Sequence, residues 1–289
     1  MNLRSFYKKS WIYEHIGFHY LIIVAVALAA VFSIILLAGA GSNSLGASVF
    51  LVQFGYSTPE ATQNDYFGPW ENITRSALKL SSQSKLRIRV GYFGVCGSGD
   101  DQGQWICKGS VSSLMATRRF TDPLGIAKMA EDAKSEVFFP GLLLASTGLA
   151  FIAVILLIRY PGWQAGWQEE IKEDTGSDVS TKIEPYPFNN LILSCLSATA
   201  LGAIFTLTSA LWQHTAAATA ATLLEISAVS AVKASVGNTG MALGWLAFVF
   251  WLTSFIMVSM SIWAIILVNK FPDGDLDDTS DSESFFTEV

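Results

Sequence analysis

The chain has 289 residues, of which 51% are hydrophobic and 15% charged, and its formal net charge is −6. Soluble domains carry about 25% charged residues; here the charges collect in the ends and connecting stretches while four long apolar runs carry none, a segregation that an ordinary soluble domain does not show. No basic stripe exists, which argues against a nucleic-acid partner, and three cysteines without CxxC spacing do not make a metal cluster.

Residues 1–19 form a basic and aromatic N-terminal segment, with Arg4, Lys8 and Lys9 among Phe6, Tyr7, Trp11 and Tyr13. His15 and His19 are four apart, the spacing of a helical metal pair, but no third ligand is near in sequence, so they read as interfacial side chains and no metal site is expected. The first apolar run, 20–40, is long enough to cross a bilayer as a helix. It also exceeds the 7–15 residues of a signal-peptide core, so it reads as a retained span.

The long polar stretch 41–136 comes next. It contains Asn72-Ile73-Thr74, an N-glycosylation sequon with Asn72 as acceptor. Lys85-Leu86-Arg87-Ile88-Arg89-Val90 alternates polar and apolar residues, the period of a half-buried strand. It is expected to run directly into Gly91-Tyr92-Phe93-Gly94-Val95-Cys96, with Tyr92 and Phe93 on opposite faces and the two glycines allowing a bulge or a close backbone approach. Gly97, Gly99, Asp100, Asp101 and Gly103 supply turn chemistry, and Gln104-Trp105-Ile106-Cys107 returns as the paired strand. Cys96 and Cys107 are read as a disulfide that pins this hairpin in an oxidising exterior. Asp100 and Asp101 fall short of the six to eight oxygens that calcium takes and read as a solvated turn.

Three further spans follow at 137–158, 189–212 and 241–268, and each must be helical because lipid offers free backbone groups no partner. Cys195 lies inside the third and reads as a small buried hydrophobe. Trp163 and Trp167 after the second span, Trp212 at the end of the third and Trp245 near the start of the fourth look like interfacial aromatics. Arg159, Lys172 and Lys182 in the connection 159–188, set against the lone Lys233 in 213–240, predict that both termini and the 159–188 loop are cytoplasmic. Good helix formers from Thr215 to Val236 predict that the third helix continues past the membrane until a turn near Gly237-Asn238-Thr239-Gly240. The tail 269–289 is acidic, is expected to be disordered, and ends in Thr287-Glu288-Val289, the form of a PDZ ligand.

Gly91, Phe93, Cys96 and Cys107 resemble the claudin superfamily signature, with Tyr92 and Phe93 in place of its leucine and tryptophan, and with Trp70 upstream at about the place of the other claudin tryptophan. The form Gly91-Tyr92-Phe93-Gly94-x-Cys96 with Cys107 is more specific and is similar to the fungal factor-induced-gene-one family. The resemblance implies a claudin-like four-helix transmembrane bundle with a disulfide-pinned extracellular antiparallel β-sheet. It also implies a plasma-membrane regulator of low-affinity calcium influx and of cell–cell membrane fusion in fungal mating. The alternative is a Sur/PalI-type organiser or sensor of the cell cortex with no calcium role.

No enzyme motif is present, so no catalytic residue, cofactor or bound metal is expected; Ca²⁺ enters as the regulated ion. The expected partners are membrane lipids and, through the first outer loop, a second copy or another membrane protein. No charged residue falls inside the spans, which argues against a charge-lined pore within one chain.

Overall fold

The computed structural model describes residues 3–41, 48–56, 71–99, 104–117, 120–159, 190–227 and 231–270. In chain order the elements are α1 (Leu3–Ala38), β1 (Val52–Tyr56), α2 (Glu71–Ser81), β2 (Arg87–Val90), β3 (Val95–Ser98) and β4 (Ile106–Lys108). They continue as α3 (Val111–Thr117), α4 (Ile126–Asp132), a π-helical turn (Ala133–Val137), α5 (Gly141–Arg159), α6 (Asn190–Ser227), β5 (Val232–Val236) and α7 (Asn238–Lys270). The chain is mostly helical, with a small antiparallel sheet.

Four helices contain stretches long and apolar enough to cross a membrane: His19–Ala38, Gly141–Arg159, Asn190–Leu223 and Asn238–Ala264. They pack as a ring, α1 against α5 and α7, and α6 against α5 and α7. Each neighbour in the ring is antiparallel, so the C-terminal ends of α1 and α6 and the N-terminal ends of α5 and α7 lie together. Inside the ring, Val26, Ala29, Ala150 and Trp251 form part of one buried cluster. A methyl group on Gly202 of α6 would strike the Trp251 ring of α7, so the close fit of these two helices depends on the missing side chain. Buried Ser33, Thr206 and Ser254 donate to carbonyls four residues back in their own helices. That satisfies their hydroxyls where no water is available.

The sheet sits at the shared end of the ring, with strand order β4-β3-β2-β1-β5 and every pairing antiparallel. One face carries Val52, Phe54, Ile88, Val90 and Val95. These residues are buried in a second core with Leu114 of α3, Ile126 and Ala130 of α4, and Leu36 at the end of α1.

Three sequence expectations change here. Strand β2 does not run on into 91–96: residues 91–94 turn the chain back, and β2 pairs with β3 as a hairpin. The second membrane helix starts at Gly141 rather than at 137. Val137 ends the π-helical turn and Phe138 is buried in the sheet core. Pro140 then holds its predecessor out of helical conformation. The third helix does continue past 212, but it ends at Ser227, and Val232–Val236 is a strand rather than more helix. All five of its residues pair with β1, so an open sheet edge overrides local helix propensity. At about 1.5 Å per residue the 38-residue α6 is about 57 Å long, well over the ~30 Å hydrocarbon core. Its last turns therefore stand beside the sheet.

Candidate functional site

The hairpin turn 91–94 is the joint between sheet and bundle. The Gly91 amide donates to the Gly94 carbonyl at 2.9 Å and closes the turn. A methyl group on Gly91 would sit 2.5 Å from the Gly39 carbonyl oxygen, and one on Gly94 would collide with the Ala40 carbonyl. The glycines thus let the turn lie backbone to backbone on the end of α1. Ala40 takes a left-handed φ of 58° there as the chain leaves the helix, a conformation that non-glycine residues seldom adopt.

The two aromatic residues of the turn part company: Tyr92 is 4% exposed and Phe93 is 49% exposed. The Tyr92 phenol reaches into the mouth of the ring and donates to Gln213 Oε1 of α6 at 3.4 Å. Burial pushes the phenol up to about 12, with a hydrogen bond from Ser209 acting weakly the other way. Gln213 is itself 1% exposed and faces α7, where a methyl group on Gly244 would stand 3.2 Å from its Oε1. One turn thereby touches α1 and α6 and lies over α7. Gln213 was not singled out from the sequence; its only signal is a lone carboxamide in a run of apolar helix.

Cys96 and Cys107 face each other across β3 and β4 in register and are joined by a disulfide. Both are buried with Ala40, and Trp105 packs against them. The same face carries Arg89, cross-strand neighbour of Cys96. Its guanidinium lies 3.9 Å from the centre of the Trp105 ring and 4.5 Å from that of Phe50, and its Nε donates to Gln53 Oε1 at 2.7 Å. This cation–π stack covers the disulfide side of the sheet.

At the far end of β1, the Tyr56 hydroxyl donates to Asp122 Oδ1 at 2.6 Å and accepts from the Leu124 amide at 3.1 Å. Asp122 in turn accepts from the Ile126 and Ala127 amides at 3.0 and 2.9 Å, capping α4. Burial, then the hydrogen bond to Asp122, raises the Tyr56 pKa far above its ordinary value. Asn72 is exposed in the first turn of α2. Trp212 is exposed on α6, and its indole N–H donates to the Val137 carbonyl at 3.0 Å.

Among the described residues no three His, Cys, Asp or Glu side chains come together as a metal site. Trp70, Asp100, Asp101, Gly103, Trp163, Trp167, the tail 271–289 and the side chain of His15 lie outside the described residues.

A search of curated proteins finds no match to the chain. A family model described as Ca²⁺ regulator and membrane fusion protein Fig1 matches residues 73–268. That stretch is more than half of the chain and holds the 91–94 turn, both bridged cysteines, and helices α5 and α6 with nearly all of α7. With four apolar membrane-length helices and this match, the chain is a multi-pass membrane protein and belongs to the Fig1 family of Ca²⁺ regulators and membrane fusion proteins.

Proposed function

We propose that this protein is a plasma-membrane regulator of low-affinity calcium influx and of cell–cell fusion during fungal mating. Both termini lie in the cytoplasm and the stapled sheet faces outward. The observation that carries the reading is the wedge of the 91–94 turn: the disulfide holds the hairpin, and the hairpin holds Tyr92 in the mouth of the helix ring. A contact made on the sheet therefore has a direct mechanical route to α1 and α6. A ring of four helices with a disulfide-bearing sheet at one end also supports the kinship with claudins suggested by the motif.

The sheet lies at the end of the ring away from the start of α1 and the end of α7, and the exposed Asn72 precedes β2 in the same segment, which supports its placement outside and Asn72 as a glycosylated residue. Calcium is the regulated ion. The sheet is the surface offered to a second copy or to another membrane protein.

The test is complementation of a mating fungal strain that lacks its own homologue, with the native chain or with Cys96→Ser, at matched surface level. Rescue of calcium uptake and partner fusion by the native chain, lost in Cys96→Ser, is the expected result. No rescue by a correctly located native chain refutes the reading.

A further inference from the structure

The face of the sheet turned away from its core has a second feature. In register across three strands, Arg87 of β2, Gly55 of β1 and Lys233 of β5 form one row. Arg87 and Lys233 are exposed, and two strand spacings put their Cα atoms about 10 Å apart. Between them Gly55 leaves bare backbone, with the Arg87 stem leaning over it: a methyl group there would stand 3.3 Å from Arg87 Cγ. The next row on this face holds Arg89, Gln53 and Ser235, so amide and hydroxyl groups adjoin the two cations. None of the described strand residues on this face is acidic.

The row also lies at the end of the strands away from the bundle. Val90, Val52 and Val236 form the row next to the bundle, beside the 91–94 turn and the start of α7. Arg87, Gly55 and Lys233 are three residues farther along each strand, which is about 10 Å at ~3.4 Å per residue.

The geometry points to an anion-binding notch at Arg87, Gly55 and Lys233 that captures the phosphate-bearing headgroups of anionic lipids in an apposed membrane. The inference rests on the outward placement of the sheet proposed above. It gives the fusion activity of the family a physical first step, the holding of a second bilayer against the tip of the sheet. The two cations supply the charge, the missing side chain at Gly55 lets the Arg87 stem lean toward Lys233, and Gln53 and Ser235 supply hydrogen bonds beside them.

The test uses the full-length protein reconstituted in phosphatidylcholine vesicles. Capture of labelled, protein-free target vesicles is measured, with targets of pure phosphatidylcholine or with about 30 mol% phosphatidylserine. Capture of the anionic targets alone, falling as salt rises, is expected. Each basic side chain at an anionic surface is worth about fivefold in binding, so Arg87→Gln with Lys233→Gln is expected to weaken capture about 25-fold. Gly55→Glu is expected to abolish it. The intact Cys96–Cys107 bridge and a monodisperse elution profile establish that each variant is folded.

Equal capture of neutral targets, or unchanged capture by the folded double variant, overturns the proposal. Weaker capture in inorganic phosphate than in chloride at equal ionic strength is expected too, because a free phosphate ion competes for a notch that recognises the headgroup phosphate; equal capture in the two salts overturns the notch as the binding site. Docking only between vesicles that both carry the protein also overturns it, in favour of a second copy. Because the assay reads neither calcium uptake nor fusion, its failure leaves the complementation result standing, and the reverse holds.

Discussion

Tyr92→Phe tests the joint between sheet and bundle. The substitution keeps the ring and its packing but removes the hydroxyl that meets Gln213 Oε1. A buried acceptor left without a partner costs about 1–3 kcal/mol, and the 3.4 Å length of this bond places the loss near the low end, at about 1 kcal/mol. Replacing both partners by apolar groups is close to neutral, so Tyr92→Phe combined with Gln213→Leu is expected to fall well short of additive, with a coupling of about 1 kcal/mol. The pH dependence supplies a second readout. Burial pushes the folded phenol up to about 12 from its ordinary 10.0, so below pH 10 both states are neutral and the stabilising difference is fully present. It is lost as pH rises from 10 to 12, because the unfolded chain ionises first. Two pKa units correspond to about 3 kcal/mol at most. Unfolding of the purified protein in detergent, followed against denaturant at several alkaline pH values, measures both effects. Tyr56 titrates in the same sense, so the variant is expected to lose part of the alkaline slope rather than all of it. A Tyr92→Phe protein with native stability and an unchanged alkaline profile would refute the wedge.

Gly94→Val sets a branched side chain against the Ala40 backbone; overpacking of this kind costs about 1–3 kcal/mol, and protease protection of the hairpin against the α1 end is the measurement. Asp122→Ala removes the acceptor for two α4 amides and for Tyr56; about 1–2 kcal/mol should be lost from the sheet domain by hydrogen exchange, concentrated in α4. Gly202→Leu presses on the buried Trp251 ring; a lower melting temperature in detergent with the Cys96–Cys107 bridge intact is expected, because the damage lies in the bundle rather than the sheet.

Much of this architecture was legible because membranes simplify the reading. Backbone groups in lipid must be satisfied within a helix, so a long apolar run fixes both the element and its approximate bounds. The alternation in 85–90 located β2, and Gly91 and Gly94 marked a place where backbones come close. The same glycines are equally compatible with one long strand and with a turn, since a permissive residue signals close approach and a turn equally well. The fifth strand went unread because Val232–Val236 has weak alternation in an Ala-rich setting, and only the free edge of β1 makes it a strand. Phe138, in an apolar run leading to a span, looked like membrane until the sheet core claimed it.

The sequence by itself determined four membrane-length helices, a polar segment between the first two, and a motif that names the family, since those depend on local composition and spacing. The tertiary structure decided that Tyr92 points inward and Phe93 outward, that Gln213 is its partner, and that Arg87, Gly55 and Lys233 share one row. These join residues up to 178 positions apart through strand register and ring closure, and no local pattern in a chain encodes which distant residue an element will meet.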